Sequence, residues 1–196
     1  MREIILASAS PRRADLLRQI GINFRVLPSN IDENVNGTVT PQEFAQILSW
    51  QKASSVAEKV KNGTGKGALV IGADTIVVKD GILGKPRDEV EAFNMIRTLQ
   101  GEWHSVITGI AVIDSNDLKG FKAFEETKVK MRSLTDQAIL SYIRTGEPMD
   151  KAGSYGIQGL GALLVERIEG CYFNVVGLPL TRLSQVLEEF DIRILN

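Results

Sequence analysis

The chain contains 196 residues, carries a formal net charge of −1 and is 43% hydrophobic, the apolar content of an ordinary globular protein. Its near-neutral charge provides no global basic field for nucleic acid, so any anion site must be a local basic pocket. Because Cys171 is the single cysteine, an intrachain disulfide and a cysteine-based zinc site are both excluded.

Apolar and polar patterns predict strands and helices along the whole chain. Predicted strands cover residues 4–7, 24–27, 68–78, 105–114, 124–131, 163–168 and 172–176. Predicted helices follow Ser10, extend from the capping box at 40–43 to residue 63, lie between Asp88 and Gly101, include 139–143, and cover 180–190. Residues 79–81 indicate a hairpin turn, and 153–161 a glycine-rich loop. Hairpin-like and crossover-like connections together predict an α/β fold with a mixed sheet and flanking helices. A length of 196 residues suits one large domain or two small lobes.

The first predicted strand leads directly into a helix whose first turn carries two arginines. Ser10 suits the N-cap, and the proline after it suits the first helical position. Backbone N–H groups at a helix start favour an anion, and the guanidinium groups of Arg12 and Arg13 add forked donors that fit phosphate. The segment therefore predicts a phosphate site, with solvated first-turn arginines as the alternative.

Asp74 interrupts an otherwise apolar strand. Burying a carboxylate there is costly unless it is paired, bound to metal or facing a cleft, and the small neighbours Gly72 and Ala73 leave room for a ligand. A structural ion pair is the alternative. Asp32 and Glu33, in the polar loop after the second strand, add carboxylates that with Asp74 could hold Mg²⁺ or Mn²⁺.

Several other polar residues are candidates on weaker local grounds. Lys85 is presented in an extended conformation by the proline that follows it, whereas Lys52, in mid-helix, more simply fits a surface lysine. Gln158 lies in the glycine-rich residues 150–159 and offers the donor and acceptor that suit a base edge. That segment matches neither a P-loop nor a dinucleotide fingerprint, so a plain glycine turn is the alternative. His104 lacks a partner motif, and we expect it near a strand start rather than in catalysis.

The first residues lack the long apolar core of a signal peptide, and no apolar run is long enough to span a bilayer. We therefore expect a soluble, cytoplasmic protein with no nucleic-acid or membrane partner. The sequence is compatible with a homodimer.

Six short motifs together resemble the Maf family of nucleoside triphosphate pyrophosphatases over nearly the full chain. They are SASPRR at 8–13, GADT at 72–75, GKP at 84–86, EP at 147–148, DKAGSYGIQG at 150–159 and VGLP at 176–179. The resemblance implies a house-cleaning enzyme that hydrolyses nucleoside triphosphates to monophosphate and pyrophosphate with Mg²⁺ or Mn²⁺. It also implies a single domain spanning 1–196, with an elongated, two-lobed α/β fold and a central cleft, like that of inosine triphosphatases.

Carried over by position, the resemblance makes Asp74 the proton acceptor and, with Glu33, a metal ligand. The other members of the implied catalytic pocket are Ser8, Arg12, Arg13, Lys52 and Lys85. Arg12, Thr75 and Gln158 match positions that mark the subgroup acting on dTTP and UTP. Two alternatives are a pyrophosphatase for 7-methyl-GTP or other noncanonical nucleotides, and a low-turnover nucleotide-binding regulator of septum formation. Asp74, Lys85 and Glu33 favour an enzyme, because binding alone requires no base.

Overall fold

Strands and helices alternate along the chain. The computed structural model describes residues 2–33, 35, 37–63 and 67–195. The strands are β1 (Glu3–Leu6), β2 (Arg25–Val26), β3 (Ala68–Val78), β4 (Ile82–Leu83), β5 (Trp103–Asp114), β6 (Gly120–Met131) and β7 (Val165–Glu169). The α-helices are α1 (Pro11–Gln19), α2 (Pro41–Gly63), α3 (Glu89–Leu99), α4 (Asp136–Ile143), α5 (Tyr172–Val176) and α6 (Leu180–Glu188). Short 3₁₀ helices cover Glu147–Asp150, Ala152–Ser154 and Gly159–Leu164.

Within the described residues, the strands form one seven-stranded mixed sheet in the order β2-β1-β3-β5-β6-β7, with β4 paired to β3. β1 is parallel to both β2 and β3, while the β3–β4 and β6–β7 pairs are antiparallel. Parallel neighbours need crossover connections, which α1 and α2 provide, and the predicted turn joins β3 to β4. The predicted mixed sheet with flanking helices is confirmed.

The described chain separates into two compact units, each with its own core. The first comprises Met1–Asp74, Thr108–Glu125 and Gly177–Asn196, and the second comprises Thr75–Ile107 and Glu126–Val176. In the first, Ala53, Val56, Ala57 and Val60 of α2 pack with Ile5, Val70, Ala111 and Ile113. In the second, buried residues include Ile96, Leu99, Val129, Met131, Ile139 and Tyr142. Among the described residues, no helix combines the length and the apolar character needed to cross a bilayer.

Two of the predicted helix starts differ in how they are capped. At α2 the reciprocal box is present: the Thr40 N–H donates to Glu43 Oε2 at 2.8 Å, and the Glu43 N–H donates to Thr40 Oγ1 at 3.2 Å. At α1, Ser10 occupies the N-cap position, but its side chain makes no capping hydrogen bond. The predicted N-cap position of Ser10 is therefore confirmed, although its hydroxyl does not cap the helix, and the Ser10 N–H donates to Ser8 Oγ at 3.3 Å.

The strand predicted at 172–176 is wrong, because these residues form helix α5. Residues 172–176 are rich in β-branched and aromatic side chains, which favour a strand. Asn174, however, contacts residues that are distant in the sequence. The buried Asn174 amide donates to the Val106 carbonyl and to Thr127 Oγ1, both at 2.9 Å. Tertiary contacts of this kind outweigh strand propensity. The predicted strand at 163–168 begins later, at Val165, since a 3₁₀ helix extends through Leu164.

Candidate active site

The turn between β1 and α1 holds Arg13 in a fixed position. Ser8 is buried, and its Oγ accepts a hydrogen bond from Arg13 Nη1 at 3.0 Å, while Arg13 Nε donates to the Gly177 carbonyl at 2.8 Å. Burial lowers the pKa of Arg13 below its ordinary value, and the nearby carboxylate of Asp74 opposes that shift. Arginine nevertheless stays protonated at neutral pH, so Arg13 is a half-buried and oriented cation. Arg12 is half-buried and acts on Arg13 as a like charge.

Lys52 lies between two carboxylates that come from distant parts of the sequence. Its Nζ is 2.6 Å from Asp74 Oδ1 and 2.7 Å from Glu33 Oε1. The side chains of Lys52 and Asp74 are only 12% and 10% exposed, while that of Glu33 is 53% exposed. The Lys52–Asp74 contact is therefore buried, and the Glu33 side of the cluster faces solvent. Lys52 is therefore not a surface lysine, the alternative that its mid-helix position suggested.

Gly72 explains why Lys52 reaches Asp74. A Cβ on Gly72 would lie 2.2 Å from the Ser49 carbonyl oxygen and 2.9 Å from the Ala53 nitrogen, both on α2. Only glycine lets the helix backbone approach β3 so closely. Because residues two apart in a strand share a face, Asp74 points toward the same helix. The space expected at Gly72 for a ligand is therefore filled by α2, and that expectation is wrong.

The cluster carries a net positive charge suited to a polyanion. The cationic side chains are Arg12, Arg13 and Lys52, and the anionic ones are Asp74 and Glu33. The positive excess lies at the start of α1, where helix N–H groups also favour an anion. A triphosphate fits this environment better than a neutral ligand, because guanidinium and ammonium groups bind phosphate oxygens directly.

The donor set at Lys52 also fits a divalent cation of the Mg²⁺ or Mn²⁺ type. Glu33 and Asp74 converge on one positive nitrogen, and carboxylate oxygens are the ligands such ions prefer. In the described ranges no group of three His, Cys, Asp or Glu side chains could hold a metal ion, so exposed Asp32 does not complete such a group. Two carboxylates with water and substrate phosphates are a usual set for Mg²⁺.

The other predicted site residues, Thr75, Lys85 and Gln158, belong to the second compact unit. Thr75 is half-buried in β3 directly after Asp74, and Lys85 is exposed after β4. The carbonyl of Gly84, next to Lys85, accepts from the Gly153 N–H at 3.0 Å, which joins this turn to the glycine-rich segment 150–159. Gln158 is exposed at the end of that segment.

His104 contacts the glycine-rich segment through Tyr155, a partner that the sequence did not indicate. His104 Nε2 and the Tyr155 hydroxyl are 2.6 Å apart, and the rings meet edge to face. Burial, and then the charge of Lys79, lower the pKa of His104 to about 4. At neutral pH His104 is therefore uncharged, and its position at the start of β5 confirms the expected place near a strand start.

Sequence comparison places these residues in a family context. The family model described as Maf-like protein matches residues 3–190. A dTTP/UTP pyrophosphatase of Acetivibrio thermocellus is 55% identical, covering 100% of this chain and 99% of that protein. One from Thermoanaerobacter sp. is 52% identical over 98% of this chain and 100% of its own length. Among solved structures, a HAM1 protein from Coxiella burnetii is 18% identical with a TM-score of 0.49, and the match covers 96% of this chain and 100% of that one.

Proposed function

This chain belongs to the Maf-like protein family, and from that premise we propose that it hydrolyses dTTP and UTP to the monophosphate and pyrophosphate. Relatives with about half of their residues identical over their full length bear the name dTTP/UTP pyrophosphatase. The observation that carries the proposal is the convergence of Asp74, Lys52 and Glu33 beside two arginines. The family match across 3–190 also supports treating residues 1–196 as one functional domain.

Asp74 is the proposed general base. It has two carboxylate oxygens, and Oδ1 accepts from Lys52, which fixes the orientation of the group. An oriented carboxylate in a largely buried position is suited to take a proton from a water that attacks the α-phosphorus. General-base assistance of this kind contributes about 10²–10⁴-fold to a rate.

Fixed cations perform the second task, which is to stabilise negative charge on the departing pyrophosphate. Arg13 needs no reorientation, because Ser8 and Gly177 already hold its guanidinium. Arg12, Lys52 and Lys85 are proposed to neutralise the remaining phosphate charge. When bound, a divalent cation held by Glu33 and Asp74 would supply further charge neutralisation and favour ionisation of water.

Base selection is assigned to Arg12, Thr75 and Gln158. The amide of Gln158 carries a donor and an acceptor, which matches the alternating carbonyl and N–H groups along one edge of uracil and thymine. A purine presents a different pattern and a larger outline. These three residues select which triphosphate is used, whereas Asp74 acts on whichever triphosphate is bound.

The test is pyrophosphate release by the purified protein with Mg²⁺ or Mn²⁺ and a panel of dTTP, UTP, CTP, 5-methyl-UTP, GTP, 7-methyl-GTP and ITP. We expect dTTP and UTP to be turned over fastest, with the monophosphate as second product. Preference for 7-methyl-GTP would keep the chemistry and reject the base assignment. If every nucleotide binds and none is hydrolysed, the enzyme proposal fails in favour of a nucleotide-binding regulator. Asp80→Asn, in the exposed β3–β4 turn, is the matched control for Asp74→Asn.

A further inference from the structure

The carboxylate of Glu147 holds the backbone that directly follows Gln158. Glu147 Oε1 accepts from the Gly161 N–H and from the Tyr142 hydroxyl, both at 2.9 Å, and Oε2 accepts from the Leu160 N–H at 3.0 Å. Both backbone donors lie in the first turn of the 3₁₀ helix Gly159–Leu164. Glu147 therefore caps this helix from thirteen and fourteen residues earlier in the chain.

Gln158 is the N-cap residue of the same helix, yet its own side chain makes no capping hydrogen bond. A residue in this position often uses its side chain for the first helical N–H groups. Glu147 performs that task, so the Gln158 amide is not consumed by the helix start. The exposed amide can then present its donor and acceptor to a ligand.

Because Gly159 has no side chain, the Glu147 carboxylate lies directly against the backbone at this residue. Gly159 has a φ of +64°, a conformation that other residues adopt only with strain. A Cβ at this position would lie 2.8 Å from Glu147 Oε2. The carboxylate is thus packed directly against the peptide that joins Gln158 to Leu160, and moving Glu147 must move that peptide.

The carboxylate is held in its charged form. Burial acts to raise the pKa of Glu147, but the hydrogen bonds from Gly161 and Leu160 outweigh it, and the pKa lies below its ordinary value. A charged acceptor forms stronger bonds to backbone N–H groups than a neutral one does. Lys151 Nζ also donates to the Glu147 carbonyl oxygen, and this hydrogen bond connects the two ends of the segment 147–151.

We propose that Glu147 is a positioning residue for pyrimidine recognition, acting through Gln158. Its carboxylate fixes the Gln158–Gly159 backbone, so that the Gln158 amide meets the base in one orientation. The inference rests on the proposed function, and specifically on Gln158 as the reader of the base. It gives a task to the Glu147-Pro148 motif, to which the chemistry at Asp74 assigns none.

The test uses Glu147→Gln, which preserves size but places an NH₂ group against a backbone N–H, so one backbone donor loses its acceptor. We expect the KM for dTTP and UTP to rise about 10-fold, the usual consequence of one lost buried hydrogen bond, with kcat nearly unchanged. Hydrolysis of ribose 5-triphosphate, which lacks a base, should not change. Glu166→Gln, on exposed β7, is the matched control. Should Glu147→Gln not fold, Tyr142→Phe removes a single bond to the same carboxylate and should raise the KM about 3-fold.

A double-mutant cycle with Gln158→Ala decides whether Glu147 acts through Gln158. If it does, Glu147→Gln raises the KM in the parent protein and has no further effect in the Gln158→Ala background. Equal effects in both backgrounds, or a loss of kcat on the triphosphate without a base, would overturn the inference. If Gln158→Ala raises the KM while Glu147→Gln does not, the positioning role alone fails. If Gln158→Ala leaves the KM for dTTP unchanged, the base-reading part of the proposed function fails, and the inference falls with it.

Discussion

Mild acid should destabilise the protein through His104. This side chain is 3% exposed, and within the described residues its Nδ1 has no hydrogen-bond partner. A proton added to the ring would therefore create a buried charge with an unsatisfied N–H. Burial, and then the positive charge of Lys79, lower the pKa of His104 from 6.5 to about 4. An unfolded chain takes up this proton at a higher pH than the folded protein does.

The size of the effect follows from linkage between protonation and folding. A folded pKa below the unfolded one gives stability that is present above about pH 6.5 and is lost as the pH falls toward 4. A difference of one between the folded and unfolded pKa corresponds to about 1.4 kcal/mol, so the full loss is about 3 kcal/mol. Between pH 7 and pH 5 the expected loss is about 2 kcal/mol, and well below pH 4 this histidine contributes no further change.

The assay is urea unfolding of the parent protein and of His104→Gln at pH 7 and pH 5. Trp103 fluorescence in a Trp50→Phe background reports on the unit that contains His104. The glutamine variant should be the less stable of the two at pH 7, and the difference should shrink by about 2 kcal/mol at pH 5, because glutamine takes up no proton. The carboxylates titrate equally in both proteins, so their effect cancels in the difference between the two free energies of unfolding. A difference that stays constant between the two pH values would refute the reasoning.

Three further predictions concern the site. Asp74→Asn should lower kcat for dTTP by about 100-fold or more, measured as pyrophosphate release, because it removes the proton acceptor. Lys52→Met removes the cation between Asp74 and Glu33, so Mn²⁺ binding without nucleotide should tighten about 10-fold by calorimetry. Gly72→Ala should reduce the free energy of unfolding by about 1–3 kcal/mol in urea titrations, since its methyl group would overlap the Ser49 carbonyl.

Each of these variants has a partner substitution that separates its effect from general damage. Asp80→Asn removes an exposed carboxylate, and Lys59→Met removes an exposed lysine of α2. Gly81→Ala adds a methyl group where no atom lies within 4 Å. Normal turnover in Asp74→Asn, unchanged Mn²⁺ affinity in Lys52→Met, or equal stability of the two alanine variants would contradict the corresponding argument.

Local sequence patterns predicted an element correctly where that element depends on residues close together in the chain. The reciprocal box at Thr40 and Glu43 fixes the start of α2, and the apolar run of β3 forms as predicted. Hairpin-like and crossover-like connections also indicated the mixed sheet. The strand predicted at 172–176 was wrong because Asn174 forms hydrogen bonds with Val106 and Thr127, which are far away in the sequence. A pattern read from five consecutive residues gives no information about partners so far away in the chain.

The candidate site shows the same division. Asp74 stood out because a carboxylate in an apolar strand needs a partner, but the sequence could not name Lys52 as that partner. Their meeting depends on how closely α2 approaches β3, and the absent side chain of Gly72 sets that approach. Glu147 offered only a short motif with no chemical signal, since its acceptor role depends on backbone N–H groups thirteen and fourteen residues later.

The central claim is that Asp74 directs a water to the α-phosphorus of the nucleotide. Hydrolysis of dTTP in ¹⁸O-labelled water tests it most directly, because attack at the α- or the β-phosphorus gives the same two products with the label in different places. We expect mass spectrometry to find the label in dTMP and none in pyrophosphate. Label in pyrophosphate would mean attack at the β-phosphorus and would contradict the role assigned to Asp74.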